Sequence, residues 1–225
     1  MTDIKILDKP KKIIKNKLFP NNNDAMILDK VMIDDESVSY ISIPEDADKI
    51  TKIIQQHCYR LNLTPLSLTI TDAMSGVGGN VLSFASNFMS VNAIELDIKR
   101  YQFLVNNIDA YKLSNVLHYC DDCLNIIYKF TQQDIIFFDP PWGGKTYKDQ
   151  NNIRLTISNI SIEDICIKLF DDNESISVPY LICVKLPKNY DIRNLYFKLS
   201  NENKKFEIYC YDLTKMYIVI IQKKK

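Results

Sequence analysis

The segment FFDPPWGGKTY, at positions 137 to 147, brings together an acidic side chain, two prolines, two glycines and the single tryptophan of the chain. An amine attached to an aromatic base is a poor nucleophile, because its lone pair is delocalised into the ring. The Asp139 carboxylate and the Pro140 carbonyl group can accept hydrogen bonds from such an amine, while the Trp142 ring holds the base by stacking. We therefore predict that Asp139, Pro140 and Trp142 are catalytic residues for a reaction at such an amine.

A second glycine-containing stretch, TDAMSGVGGN, occupies positions 71 to 80 and holds the other three of the five glycines. Glycine permits a positive φ angle or the close approach of a ligand. The stretch lies between an apolar run and a helical pattern, so its backbone N–H groups are expected to hold a polar ligand. Its spacing is not GxGxxG, which excludes the dinucleotide-binding fingerprint. The predicted cofactor-binding residues here are Asp72, Ala73, Gly76, Gly78 and Asn80.

Acidic residues follow the next two apolar runs. Glu95 lies about 20 residues after the glycines, where a carboxylate can accept both hydroxyl groups of a ribose. Asp97 follows it, and Asp122, in CDDCL, is placed to contact an adenine amine or its loop. This order is the layout of class I methyltransferases, which use S-adenosylmethionine. We predict Glu95, Asp97, Asp122 and Asp139 as cofactor-binding residues, although each acid taken singly could instead be a helix cap or a surface residue.

Apolar runs alternate with helical periodicities from Pro44 onward. Such alternation predicts a mostly parallel sheet that binds ligands beyond the carboxyl ends of its strands. The fold class is therefore α/β: a Rossmann-like class I methyltransferase with a seven-stranded mostly parallel sheet, helices on both faces and a C-terminal antiparallel hairpin. We predict an N-terminal arm or small accessory region at 1–44 and a catalytic domain at 45–225. The predicted strands are 66–70, 91–96, 115–120, 134–138, 180–186, 205–213 and 215–222, and the main helices are 47–61, one from about 80, 98–108 and 162–170.

The composition limits the classes of partner. The 28 basic residues balance the 28 acidic residues, which disfavours a protein that coats long nucleic acid. No apolar run approaches the roughly 20 residues that span a bilayer, and the start has no secretory apolar core, so we expect a soluble, intracellular monomer without membrane contact. Cys120 and Cys123, with His118 nearby, lack a second ligand pair, so no metal is expected.

The residues after the tryptophan narrow the prediction, because PPWGG is followed by Tyr147. This pattern resembles the trimethylguanosine synthase family of RNA cap guanine-N2 methyltransferases. The resemblance covers roughly residues 27–220 and includes TDAMSGVGGN, AIELD, NNIDAY, CDDCL, DPPWGG and LPKN. It implies methyl transfer from S-adenosylmethionine to the N2 amine of 7-methylguanosine in the 5′ cap of an RNA. The substrate-binding residues that it implies are Asn107, Trp142, Tyr147, Lys188 and Asn189, with Trp142 stacked on the cationic 7-methylguanine and Lys188 and Asn189 near the cap phosphates.

Two departures from the family pattern keep other functions open. The family usually has serine where Asp139 stands, and its aromatic, threonine-containing segment reads SYISIPE here, at 39–45, with Ile43 near the threonine position. One alternative is a methyltransferase for the N6 amine of adenine, or another base amine, in DNA or RNA, for which DPPW alone would be equally suitable. Another is a catalytically inactive module of this fold that binds RNA. The glycine pair after Trp142, Tyr147 and LPKN favour the cap enzyme.

Overall fold

The computed structural model describes residues 12–21, 25–171, 173, 176–201 and 206–224. Short 3₁₀ helices at Ser37–Ser39, Pro65–Ser67 and Gly144–Asp149 complement the regular elements. No helix in these ranges is long and apolar enough to cross a membrane. The α-helices are α1 (Lys12–Leu18), α2 (Ala25–Lys30), α3 (Pro44–Arg60), α4 (Gly79–Ala85), α5 (Ile98–Ala110), α6 (Cys123–Ile126), α7 (Ile162–Leu169) and α8 (Ile192–Asn201). The strands are β1 (Thr69–Asp72), β2 (Ser90–Glu95), β3 (Val116–Cys120), β4 (Ile135–Phe138), β5 (Thr156–Ile157), β6 (Ile160–Ser161), β7 (Leu181–Pro187), β8 (Phe206–Asp212) and β9 (Met216–Lys223).

Seven strands form one sheet in the order β3-β2-β1-β4-β7-β9-β8. The first five are parallel, whereas β9 runs antiparallel to both β7 and β8. The predicted fold class is confirmed, including the C-terminal hairpin. The chain proceeds outward from β1 to β3 and then returns to β4 on the other side of β1, which creates a switch point between β1 and β4. Ligands of open α/β sheets bind in the crevice at such a point.

The central strands β1 and β4 are buried on both faces, which explains the continuous apolar sequence IIFF of β4. Neighbouring residues of a strand point to opposite faces. Phe137 accordingly packs in a core with α3, α4 and α5, and Phe138 packs in a core with α7 and α8. The two cores hold β4 rigidly up to Phe138, and Asp139 is the next residue. The register pairs Asp72 with Phe137, so the carboxyl ends of β1 and β4 lie side by side.

The structure contains elements that were not predicted. Helix α8 buries Leu195 and Leu199, a spacing of four residues that was an available signal for a helix. Strands β5 and β6 are two residues each and are joined by Ser158 and Asn159, whose φ angles are 47° and 66°. Such positive angles at both positions suit a tight hairpin turn. Strands this short carry no readable alternation in the sequence.

The described part of the N-terminal region, residues 12–21 and 25–44, packs against the glycine stretch. Apolar side chains from α1, α2 and the residues after them form a core with Val77 and Leu82. Gly79 shows how close the contact is, because a Cβ atom there would lie 2.7 Å from both Ile41 Cγ1 and the Ser42 carbonyl oxygen. The division at 44/45 stays a prediction, and residues 1–11 and 22–24 of the predicted arm lie outside the described residues.

Replacing Gly79 with alanine should lower the free energy of unfolding by about 1 to 3 kcal/mol and loosen residues 37–43, because the new Cβ would overlap the Ser42 carbonyl oxygen. Urea denaturation measures the first effect, and chymotryptic cleavage at the half-exposed Tyr40 measures the second. Gly144→Ala is the control: its Cβ meets no atom within 4 Å, so it strains only the local backbone. Equal cleavage rates for both variants would show that the position of residues 41 and 42 does not depend on the missing side chain at Gly79.

Candidate active site

The glycine stretch forms a tight loop between β1 and α4. Gly76 and Gly78 have φ angles of 54° and 100°, in the region that favours glycine. The Gly76 N–H group donates a 2.8 Å hydrogen bond to Glu95 Oε2, which joins the loop to the end of β2. Asp72, Ala73, Gly76, Gly78 and Glu95 are therefore brought together at the carboxyl ends of two adjacent strands, as the sequence predicted for a cofactor site; their binding roles stay predictions.

Glu95 is nearly buried and already accepts two backbone hydrogen bonds. Oε2 accepts from Gly76, and Oε1 accepts from the Asp97 N–H group at 2.9 Å. An ionised carboxylate offers about four acceptor sites, so Glu95 keeps capacity for ribose hydroxyl groups. The Asp97 side chain instead caps α5 by accepting from Arg100 N at 2.9 Å, which is the alternative considered for a single acid.

Two oxygen atoms near this loop are buried without a hydrogen-bond partner among the described residues: Asp72 Oδ2 and Asn80 Oδ1. Burial and, to a smaller extent, the nearby Asp139 and Glu95 raise the pKa of Asp72 to about 8, against a hydrogen bond from Met74 N and the charge of Lys185. Unsatisfied buried acceptors are costly. A ligand that brings N–H donors would complete them, and the amino group of S-adenosylmethionine is such a donor. The loop therefore fits this cofactor.

A cavity of about 170 Å³ lies beside the loop, lined by Ala73, Glu95, Asp122, Pro141 and Ile157 among others. Asp122 caps α6 by accepting from the Leu124 N–H group at 2.9 Å. The Ser158 hydroxyl also donates to Asp122, so the unpredicted hairpin of β5 and β6 forms one wall of the cavity. The cavity thus lies between the acid of β2 and the loop that follows β4.

Asp139 directly follows β4 and forms an ion pair with Lys185, which was not among the predicted site residues. Its Oδ2 lies 2.6 Å from Lys185 Nζ, and the same ammonium donates to Ser42 Oγ at 2.9 Å. Burial raises the pKa of Asp139, and the charge and hydrogen bond of Lys185 act in the opposite direction. The available signal was a lysine inside the apolar run YLICVKL, since a charge in a buried strand requires a partner.

The two glycines after Trp142 form a turn beside the tryptophan ring. Gly143 and Gly144 have φ angles of 95° and 72°, and this turn starts the short helix that carries Tyr147. The Tyr147 ring meets the Trp142 ring edge to face, with centroids 5.3 Å apart. Trp142 also lines a cavity of about 320 Å³, together with Pro141 and Arg154. An aromatic wall beside an open cavity can hold a planar base.

The residues of the LPKN segment have protein partners in this structure. Lys188 forms an ion pair with Asp212 at the sheet edge. The Asn189 amide donates to the carbonyl oxygens of Tyr147 and Gln150, at 2.6 and 2.7 Å, and so anchors the helix behind Trp142. Their predicted contacts with cap phosphates stay predictions; Asn189 is at least a support for the aromatic wall.

The position of Asn107 argues against the substrate contact that the resemblance implied. Its side chain is fully buried, its Oδ1 accepts from Met32 N at 2.7 Å, and its Nδ2 donates to the carbonyl oxygens of Met32 and Val77, both at 2.9 Å. All of its polar groups are thus occupied in joining the N-terminal region to the glycine loop. A substrate could reach Asn107 only by breaking these bonds, so its substrate contact stays a prediction that this position disfavours.

A mostly parallel sheet of this strand order, with a glycine loop after β1 and an acid at the end of β2, defines a class I methyltransferase, a fold that uses S-adenosylmethionine. A family model described as RNA cap guanine-N2 methyltransferase matches residues 67–223, and the chain belongs to that family. No cluster of three potential metal ligands occurs among the residues described.

Three similar proteins illustrate the range of the family and the fold. Uncharacterized protein L320 of Acanthamoeba polyphaga mimivirus is 40% identical over 93% of this chain and 86% of its own length. Trimethylguanosine synthase of Schizosaccharomyces pombe is 32% identical over 61% of this chain and 57% of its own length. Among solved structures, precorrin-6y C5,15-methyltransferase of Geobacter metallireducens GS-15 has a TM-score of 0.58 at 14% identity, covering 87% of this chain and 95% of that one. This structural likeness shows the fold.

Replacing Glu95 with glutamine should weaken the binding of S-adenosylhomocysteine by about 2 to 3 kcal/mol, because the charged acceptor of the ribose hydroxyl groups is lost while the side chain keeps its shape. Isothermal titration calorimetry measures the affinity. Glu45→Gln, at an exposed position of α3, is the control and should bind as the wild type does. Unchanged affinity in Glu95→Gln would remove Glu95 from the cofactor site.

Replacing Asp72 with asparagine should stabilise the protein at pH 8 while weakening cofactor binding. The folded-state pKa of about 8 lies above the reference value of 3.8, so the folded wild type holds an extra proton between these values and loses stability as pH rises through this window. Asparagine does not titrate, and we expect an advantage of about 2 kcal/mol or more at pH 8 that vanishes toward pH 4. Urea unfolding at several pH values tests this; a constant difference would contradict it.

Proposed function

We propose that this methyltransferase transfers a methyl group from S-adenosylmethionine to the exocyclic N2 amine of 7-methylguanosine in the 5′ cap of an RNA. The family match supports this substrate, as does the name of the fission-yeast relative. The observation that carries the proposal is the position of Asp139 directly after β4, beside the carboxyl end of β1, with Trp142 three residues further on. This arrangement puts an amine acceptor and an aromatic wall next to the proposed cofactor loop.

The first role of the chain is to hold the methyl donor. Asp72 and Asn80 would accept hydrogen bonds from its amino group, and Glu95 would accept them from its ribose. S-adenosylmethionine supplies an activated methyl group whose sulfur leaves as a neutral thioether, so no acid is required at the leaving group. The chain therefore contributes mainly position and alignment, which convert the transfer into an in-line reaction within one complex.

The second role is to prepare the amine. The Asp139 carboxylate and the Pro140 carbonyl oxygen would accept the two N2 hydrogens, which turns the nitrogen lone pair out of conjugation with the ring. When N2 forms its bond to the methyl carbon, it gains a positive charge and loses one proton through Asp139 to solvent. Trp142 would hold the 7-methylguanine ring, and its indole face favours a cationic base. Tyr147 supports this indole from the side.

An adenine N6 methyltransferase is the second candidate, and the carboxylate at position 139 is the observation that favours it. Asp139 would accept hydrogen bonds from an adenine amine as well as from guanine N2. A non-catalytic RNA-binding subunit is less consistent with the sequence, since the chain has Asp139, Trp142, Glu95 and the glycine loop.

A labelled-methyl assay followed by nucleoside analysis distinguishes these functions. The substrates are RNAs of one sequence that carry a 7-methylguanosine cap, an unmethylated cap or no cap. We expect label in N2-methylated 7-methylguanosine from the first RNA. Labelled N6-methyladenosine from the uncapped strand would select the second candidate, and no transfer to any RNA would favour the non-catalytic one.

Trp142 should give the enzyme a preference for 7-methylguanosine caps over unmethylated caps of about 1 to 2 kcal/mol, because only the methylated base presents a positive ring to the indole. Trp142→Ala should abolish this preference, and Trp142→Phe should keep part of it. Tyr147→Phe is the matched control, since it retains the supporting ring. Cap binding should also quench the fluorescence of this single tryptophan. Equal affinity of the wild type for both caps would contradict the stacking role.

A further inference from the structure

Lys185 occupies a position that is costly for a charge. It lies in the middle of β7, between Val184 and Leu186, which are both fully buried, and its own side chain is only 6% exposed. Removing an ammonium group from water costs several kcal/mol unless an opposite charge and hydrogen bonds compensate. A lysine at this place therefore points to a specific task for its charge.

The Lys185 ammonium joins three separate parts of the chain. It donates to Asp139 Oδ2 at 2.6 Å and to Ser42 Oγ at 2.9 Å, and it lies 5.6 Å from the centroid of the Trp142 ring. Asp139 and Trp142 belong to the DPPW segment, whereas Ser42 precedes α3 and rests against Gly79. Lys185 thus links the two proposed catalytic side chains to the N-terminal region.

We propose that Lys185 is a positioning residue of the active site, which keeps the Asp139 carboxylate ionised and fixes its orientation so that Oδ1 faces the amine of the substrate. This inference rests on the proposed function for the identity of that amine. Because the ion pair engages Oδ2, the other oxygen is left to accept from the substrate. The Ser42 hydroxyl holds the ammonium from a second direction, so the carboxylate has one preferred position.

The surroundings of Asp139 show why a partner charge is required. Asp72 faces it from β1, and burial keeps that carboxyl group largely protonated below its pKa of about 8. Cys183 faces it from β7, and burial raises the pKa of its thiol well above the usual range, so the thiol is neutral. Within the part of the chain that the structure describes, Lys185 is the cation placed against Asp139. Without it, burial would favour the protonated acid.

The titration of Asp139 tests the inference without any substrate. Protein labelled with ¹³C at the aspartate carboxyl carbons gives a resonance for Asp139 that is identified by its absence in Asp139→Asn. In Lys185→Met, this carboxyl group should titrate about 1 to 3 pH units higher than in the wild type, since the opposite charge has been removed. Lys185→Arg keeps the charge and should stay close to the wild type. An unchanged pKa in Lys185→Met would overturn the inference.

Activity provides the second readout. The acidic limb of the pH–rate profile on capped RNA should move to higher pH in Lys185→Met by the same amount as the carboxyl titration, and the rate should recover as pH rises. A purely structural lysine would lower the rate equally at all pH values. If the wild type methylates no RNA, the proposed function fails, while the carboxyl titration still decides the role of Lys185.

A double variant controls for misfolding. Asp139→Asn combined with Lys185→Met removes both buried charges together, so it should be more stable than Lys185→Met in thermal unfolding at pH 8, where the single variant carries an unpaired carboxylate. If the single variant does not fold but the double variant does, the charge pair is supported. If neither folds, Lys185 is needed for the core itself and the inference is wrong.

Discussion

The close approach of three carboxyl groups in one crevice is the constraint on which the site depends. Asp72, Glu95 and Asp139 lie at or just after the ends of adjacent parallel strands, because the switch point brings those ends together. Three unpaired negative charges in a site of low dielectric constant would repel one another strongly. Three features reduce this repulsion: burial that raises the pKa of Asp72 to about 8, backbone N–H donors on Glu95 and the ammonium of Lys185 against Asp139.

These three solutions suit three different tasks. A protonated acid can release its proton when a cationic amino group binds beside it, as expected for Asp72 beside a cofactor. An acid held by N–H groups keeps spare lone pairs for hydroxyl groups, as Glu95 does. An acid held by a cation keeps its charge and its direction, which suits the acceptor of a reacting amine. Similar residues thus acquire different properties from their neighbours alone.

The sequence predicted the parts of the site that depend on local order along the chain. The glycine loop and Asp139 each follow a strand and Glu95 ends one, and parallel strands bring their carboxyl ends together, so their proximity could be inferred. Lys185 and Ser42 were missed because their contact joins positions 143 residues apart and depends on how the N-terminal region folds back. The buried surroundings of Asn107 could not be inferred, because a motif shared with a family identifies a residue without its neighbours in space. The hairpin of β5 and β6 is too short to leave a pattern.

The same ion pair bears on how a cationic base could stack against Trp142. An unpaired ammonium 5.6 Å from the indole centroid would itself make a cation–π contact with the ring and would repel a second cation. Asp139 lies closer to this ammonium than the ring does, at 2.6 Å, and the pair is neutral as a whole. Viewed from the cavity that Trp142 borders, the opposite charges largely cancel because their separation is small. The indole can therefore attract a positive ring even with a lysine beside it, provided that the carboxylate stays ionised.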